Sequence, residues 1–62
     1  MKYKVTIDGV EEYLSIYDVD WMVSRDYVKF RYDHYESIDK SIDMVCKKYN
    51  LQRELVEHMV FN

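Results

Sequence analysis

The side chains that could carry out catalysis or bind a metal are few and scattered along this sequence. Asp18 and Asp20 form an Asp-x-Asp pair, but no glycine or third ligand follows at the spacing of a calcium loop. His34 and His58 are far apart, and a Cys–His nucleophile pair would require Cys46 to be exposed, whereas a small residue near a packed helical turn is expected to be buried. We therefore predict a protein that is not an enzyme and holds no metal or cofactor.

Recognition through aromatic rings and charges is better supported. The segment YVKFRYDHY, residues 27–35, interleaves aromatic and basic side chains. Tyrosine and arginine concentrate binding energy at protein interfaces. We therefore predict a partner-binding surface made of rings and cations with two carboxylates at its edge: Tyr13, Tyr17, Asp18, Asp20, Tyr27, Lys29 and Arg31.

A nucleic-acid-binding module is the alternative, because rings interleaved with cations also stack single-stranded bases. The segment 42–60 has the spacing of a helix-turn-helix, with the small Cys46 four residues before Asn50 at the turn. The charge argues against this alternative. The formal net charge is −3, and the helix that would read DNA carries Glu54 and Glu57, which phosphates repel.

Length and composition describe a single small domain, residues 1–62. A chain of this size buries only about 60% of the surface that its unfolded form exposes, so a homodimer is a plausible source of extra stability. Cys46 is the only cysteine, which excludes an internal disulfide and fits the reducing cytoplasm. No apolar run reaches the roughly 20 residues that a membrane span needs, and the alternating N-terminus does not resemble a signal peptide.

The chain contains no proline, no alanine and one glycine. All three residue types use codons that begin with two G or C bases, so their scarcity indicates an A/T-rich gene, as in many phages and low-GC bacteria. Small chains from such genomes are often accessory proteins. We expect a phage-type or mobile-element-type inhibitor that binds a host protein, blocks its surface sterically and is guided there by carboxylates.

The elements that must position these residues begin with a β-hairpin over residues 2–17. Apolar and polar residues alternate on both sides of Asp8-Gly9, which is a strong signal for a two-residue turn. The predicted register pairs Ile7 with Val10, Val5 with Glu12, and Tyr3 with Leu14.

Residues 18–33 are predicted to add a third strand. Residues 18–26 are ambiguous; we favour a short strand followed by a turn over a single helical turn capped by Asp18, and expect Trp21 to anchor the core. Residues 27–33 alternate cleanly, which predicts a strand with Phe30 and its neighbours Val28 and Tyr32 facing the core. Tyr27, Lys29 and Arg31 would then face solvent.

Two helices are predicted to follow. Ser37 has the position of an N-cap, and Ile38, Ile42, Val45 and Tyr49 recur at helical spacing. Asn50 either ends this helix or caps the next, whose apolar stripe contains Leu51, Leu55, Val56, Met59 and Val60. The predicted fold class is therefore α+β: an N-terminal hairpin plus a third strand in a small antiparallel sheet, covered on one face by two C-terminal helices.

Overall fold

The chain forms a two-stranded sheet followed by three helices. The computed structural model describes residues 1–62. The elements are β1 (Lys2–Ile7), β2 (Val10–Ser15), α1 (Ile16–Val28), a π-helical segment (Lys29–Asp33) that continues α1, α2 (Ile38–Tyr49) and α3 (Arg53–Phe61). None of these helices has the length and apolar composition that crossing a lipid bilayer requires.

The hairpin has the predicted turn and register. Ile7 pairs with Val10, Val5 with Glu12 and Tyr3 with Leu14 in an antiparallel ladder. Asp8 (φ 51°) and Gly9 (φ 82°) both have left-handed backbone angles, as a type I′ turn requires, and aspartate and glycine tolerate that region best. One face of the hairpin packs against the helices, with Val5 fully buried.

Residues 16–33 are helical, so the predicted third strand is wrong, although the α+β class is confirmed. The Ser15 side chain caps α1 by accepting a hydrogen bond from the Asp18 backbone N–H, three residues before the position that we considered for a cap. The helix then runs without interruption through the segment that we had split into a strand and a turn.

The physical reason lies in two overlapping periods. The alternation over residues 27–33 has period two, but the residues that face the core recur with the period of a helix: Val19, Met22, Val23, Asp26, Tyr27 and Phe30. Asp26 hides this pattern in the sequence, because a carboxylate is rarely found on a core-facing stripe. The prediction that Trp21 anchors the core is wrong for the same reason: Trp21 lies on the opposite side of α1 and is 64% exposed.

The two C-terminal helices form as predicted, with two differences: Ile38 is 47% exposed, and Leu51 precedes α3. Ser37 caps α2 by accepting a hydrogen bond from the Lys40 backbone N–H. Asn50 ends α2 in the left-handed conformation (φ 54°), which asparagine adopts at lower cost than most residues. Ile42, Val45 and Tyr49 are buried as predicted, and Val56 on α3 completes the same core.

The core is small and made mostly of valine. Its buried apolar members come from the hairpin and all three helices: Val5, Val19, Val23, Ile42, Val45, Tyr49 and Val56. Six of these seven are aliphatic, whereas the tryptophan and several tyrosines are exposed. The largest aromatic surfaces of this chain are therefore available for contacts outside the domain.

A buried carboxylate joins α1 to α2. Asp26 is only 3% exposed and accepts hydrogen bonds from the Tyr49 hydroxyl, from Lys48 Nζ at 3.1 Å and from Arg25 Nε at 3.2 Å. Arg25 Nη2 also donates to the Tyr49 hydroxyl oxygen at 3.2 Å. We refer to Arg25, Asp26, Lys48 and Tyr49 as the Asp26 cluster.

The cluster is compatible with an ionised Asp26. Burial by itself would raise the pKa of this carboxyl, but the hydrogen bonds from Tyr49, Lys48 and Arg25 outweigh burial and hold the pKa below its ordinary value of 3.8. Burial and the carboxylate raise the pKa of Tyr49, and the hydrogen bond to Asp26 raises that of Lys48. Each group thus keeps the protonation state that holds α1 against α2 at neutral pH.

Replacing Asp26 with asparagine should destabilise the fold by about 1–3 kcal/mol, because the side chain keeps its shape but loses its charge-assisted hydrogen bonds. That loss is a large part of the roughly 3–9 kcal/mol expected for a domain of this length. Urea denaturation of Asp26→Asn measures it. Asp33→Asn is the matched control, since Asp33 is exposed and makes no ion pair. Equal stability of the two variants would contradict the role of the cluster.

The stability of the wild type should depend on pH at both ends of the range. Because the folded-state pKa of Asp26 lies below 3.8, its contribution is present above that pH and is lost as pH falls through the folded value. The folded-state pKa values of Tyr49 and Lys48 lie above 10.0 and 10.5, so their contributions are lost as pH rises through them. Urea unfolding across pH should therefore show the wild-type advantage over Asp26→Asn shrinking in acid; an advantage independent of pH would contradict this account.

Candidate functional site

The seven residues that we expected to form one surface do not lie together on a sheet face. Tyr13 is on the outer face of the hairpin and pairs with Lys4, which forms an ion pair with Glu11 at 3.1 Å. The hydrogen bond and charge of Glu11 raise the pKa of Lys4. The remaining six lie on α1 and its π-helical extension, because that segment is a helix and not a strand.

Those six residues are divided between two sides of the helix. Tyr17, Asp18, Asp20 and Lys29 are exposed. Tyr27 is half-buried against the core and is the one that contributes least to an outer surface. Arg31 is half-buried, and its Nη1 donates to the Glu36 carbonyl oxygen at 2.7 Å.

Opposite the core, α1 carries a second row of large side chains that we call the outward stripe. Its members recur at spacings of four, four, three and four residues, so they lie along one line of the helix surface: Tyr17, Trp21, Arg25, Val28 and Tyr32. The row is about 20 Å long at the rise of an α-helix. The π-helical segment continues the row, with Phe30 turned to the core and Tyr32 to solvent.

The exposure of this row is unusual for a water-facing helix surface. Tyr17 is 83% exposed, Trp21 64%, Tyr32 65% and Val28 52%. The three rings alone present on the order of 400 Å² of surface, within the size range of the largest patches on monomers, which are often functional. A helix that is apolar on both sides is normally covered on both sides. The outward stripe is therefore an aromatic and apolar surface that no other part of the chain covers.

Arg25 connects the outward stripe to the core. Its guanidinium lies over the Trp21 ring, 4.8 Å from the ring centroid, while its Nε and Nη2 bond to Asp26 and Tyr49. The guanidinium of Arg25 is thus held by Asp26 and Tyr49 and packs against the Trp21 indole. This contact restricts the Trp21 ring before any partner arrives, and a restricted ring loses less entropy on binding.

Charges flank the stripe in an ordered way. Asp18 and Lys29 are eleven residues apart, about three helical turns, and so lie on one flank; Asp20 and Arg31 have the same separation and lie on the other. None of these four side chains forms an ion pair within the chain. Both acids are in the first half of the stripe and both bases in the second. Asp18, Asp20 and Lys29 are exposed, whereas Arg31 is half-buried and bonds to the Glu36 carbonyl oxygen.

A shallow depression adjoins the first half of the stripe. It has a volume of about 220 Å³ and is bounded by the start of α1 and the end of α3: Ile16, Tyr17, Asp20, His58, Met59 and Asn62. Apolar side chains of Ile16 and Met59 contribute to its wall, while Asp20 and His58 are its titratable groups. The recess thus lies beside Tyr17, at the first half of the stripe.

The residues that could have carried out catalysis do not converge. No three histidine, cysteine, aspartate or glutamate side chains are grouped as metal ligands would be. Cys46 is half-buried on α2, and burial raises the pKa of its thiol, which makes the thiolate less available. Asp18 is engaged with the Ser15 hydroxyl at 3.1 Å.

The helix-turn-helix alternative can be examined on α3. Its Arg53, the cation nearest the start of the helix, bonds to Asp39 and, at 2.8 Å, to Glu57. The hydrogen bond that Arg53 donates to Glu57 raises the pKa of Arg53. This arginine is therefore already neutralised, and the exposed Glu54 beside it would face DNA phosphates.

Sequence reasoning missed Trp21, Arg25, Val28 and Tyr32 as surface residues. The available signal was a helical period that starts at Val19, with the outward stripe falling midway between the core-facing positions. No protein-family model, curated protein or solved structure matches this chain. The case for a function therefore depends on the geometry of the outward stripe.

Truncating Trp21 to alanine should change the free energy of unfolding by no more than about 1 kcal/mol, since the side chain is largely exposed and loses chiefly its contact with Arg25. Val23→Ala, two residues further along α1 on the buried side, should cost about 2 kcal/mol despite removing far fewer atoms. Thermal and urea denaturation of both variants make the comparison. A larger loss for Trp21→Ala would place the indole in the core.

Proposed function

We propose that this chain is a non-enzymatic protein-binding module, a small inhibitor of the phage or mobile-element type that blocks a host protein by covering part of its surface. The outward stripe is its docking face. The observation that carries the proposal is the exposure of Trp21 between Tyr17 and Val28 on a helix whose other side already forms the core. Buried tryptophan, tyrosine and arginine are the side chains that dominate binding energy at protein interfaces.

The flanking charges define the partner. Its surface would present an apolar groove for Tyr17, Trp21 and Val28, with basic groups opposite Asp18 and Asp20 and acidic groups opposite Lys29. Complementary charges of this kind mainly increase the association rate and select among partners, while the rings supply the affinity. Tyr13, on the outer face of the hairpin, belongs to a separate surface and has at most a secondary role.

The cytoplasm is the compartment that suits the proposal, because the one half-buried thiol, Cys46, has no disulfide partner. The A/T-rich coding that the composition indicates is compatible with a phage and a low-GC bacterial host. A steric mechanism needs no catalytic group and agrees with the dispersed positions of Asp18, His34, Cys46 and His58 along the fold.

Nucleic-acid binding remains the second hypothesis but gains no support from a specific contact. The ring-and-cation sheet face that it required is not assembled, since Lys29 and Arg31 lie on a helix. Titration of a labelled oligonucleotide tests it, because binding with a steep dependence on salt is the signature of phosphate contacts. Such binding would favour the alternative over the proposal.

A capture experiment with matched variants tests the proposal. The wild-type chain, immobilised, should retain a specific protein from lysates of low-GC bacteria, and Trp21→Ala should weaken that retention at least about 30-fold, the effect of losing a central aromatic anchor. The captured protein is then purified, and its affinity for each variant is measured by calorimetry.

Tyr35→Asn is the control for Trp21→Ala. Tyr35 is 88% exposed but lies outside the stripe, and its left-handed backbone (φ 58°) is one that asparagine tolerates. The proposal requires that this variant binds like the wild type. A protein captured equally by wild type and Trp21→Ala, or lost equally from both variants, would show that the outward stripe is not the docking face.

A further inference from the structure

We propose that, in the absence of a host protein, the outward stripe is covered by the same stripe of a second copy, with the two α1 helices packed antiparallel about a two-fold axis. This inference rests on the proposed function in that it uses the same docking face. It goes further by naming a specific occupant and a specific register.

Charge complementarity along α1 supports this pairing. The acids Asp18 and Asp20 precede the bases Lys29 and Arg31, and all four lack ion-pair partners within the chain. In an antiparallel pair about a two-fold axis, each flank of one helix faces the same flank of its copy. Asp18 then faces Lys29 of the second copy, and Asp20 faces Arg31. A parallel pair would instead place Asp18 against Asp20 of the copy and Lys29 against Arg31, and antiparallel packing also opposes the helix dipoles favourably.

The rings select one register. Asp18 opposite Lys29 places the two-fold axis between Val23 and Ser24, and Asp20 opposite Arg31 places it between Arg25 and Asp26. An axis midway, between Ser24 and Arg25, leaves each acid about 3 Å along the helix from its base, which these side chains can span. About that centre, Tyr17 lies opposite Tyr32 of the copy and Trp21 opposite Val28, so every aromatic or apolar member of the stripe meets another such member. Charges and rings are independent features of the sequence, and the axis that pairs the rings lies midway between the two axes that the charge pairs define.

The centre of the interface allows close approach. Ser24 is small and exposed, which permits the 8–10 Å between helix axes that is usual for packed helices. Arg25 would approach Arg25 of the second copy near the axis, but Asp26 compensates its charge at 3.2 Å. At each end, Tyr32 of the copy, opposite Tyr17, lies beside the depression that Ile16 and Met59 help to line.

The area predicts a weak dimer. One stripe packed on another removes on the order of 1,000 Å² of surface in total, which is the lower limit for a specific interface. We therefore expect reversible association in the micromolar range, weak enough for a host protein to displace the second copy from the same stripe.

Sedimentation velocity with charge-reversed variants tests the register. The wild type should change from monomer to dimer between low micromolar and submillimolar concentration. Asp18→Lys and Lys29→Asp, each alone, bring like charges together twice and should each remain monomeric over that range. An equimolar mixture of the two variants should dimerise again, because each chain then faces opposite charges on its partner.

The mixture shows whether the single variants are folded, because two misfolded variants would not form a dimer when mixed. Matched controls come from exposed charges without ion pairs on other helices: Glu54→Lys and Lys40→Asp should leave the wild-type association unchanged. A wild type that is monomeric at every concentration, or single variants that dimerise like the wild type, would overturn the inference.

The inference and the proposed function can fail separately. If the wild type is monomeric and Trp21→Ala no longer binds the host protein, the proposed self-association is wrong and the docking role of the stripe stands. If the dimer responds to the charge reversals as described, but the host protein binds Trp21→Ala as well as it binds the wild type, self-association is supported and the proposed function is contradicted.

Discussion

The hydrogen bonds to the buried Asp26 set the rotation of α1 about its own axis, and most of the architecture depends on that rotation. A carboxylate on the core-facing side of a helix is costly unless donors meet it there. Tyr49, Lys48 and Arg25 meet it, two of them from the end of α2. A rotation of α1 that removed Asp26 from these donors would leave them without their acceptor and would bury Trp21 in a space filled by valines.

This rotation places the largest aromatic side chain on the outside. The core contains five valines, one isoleucine and one tyrosine, which is a small apolar volume for a chain with one tryptophan and seven tyrosines. Large aromatic rings therefore lie on the surface of this domain, although its core is small and their burial would have enlarged it. This placement is the basis for the proposal that the stripe from Tyr17 to Tyr32 is a docking face, because exposing these rings to water forgoes the stabilisation that their burial would give.

The parts of the fold with one dominant periodicity could be predicted from the sequence. The Asp8-Gly9 turn set the hairpin register, and the spacing of Ile42, Val45 and Tyr49 identified α2. Residues 18–33 could not be assigned in this way, because alternation over residues 27–33 competes with a helical period in which Asp26 occupies a buried place. Two of the side chains that donate hydrogen bonds to Asp26 belong to residues 48 and 49, and only the tertiary structure brings them close to Asp26.

The candidate site was anticipated in composition and not in geometry. Tyr17, Asp18, Asp20, Lys29 and Arg31 were expected on an outer surface, and they lie on or beside the outward stripe. The helix regroups them around Trp21 and Val28, which a strand would have turned towards the core. Tyr13 is separated from the others because it lies on β2 of the hairpin, and Tyr27 because a helix distributes neighbouring residues around its whole circumference.

The most direct test of this account is the environment of Trp21, the single tryptophan and hence an unambiguous fluorescent probe. In dilute protein, its emission should be that of a solvated indole, and acrylamide should quench it readily. At high concentration, or with a bound partner, the emission should shift to the blue and the quenching should fall. An indole that is blue-shifted and protected in the dilute monomer would place Trp21 in the core and contradict the orientation of α1 described above.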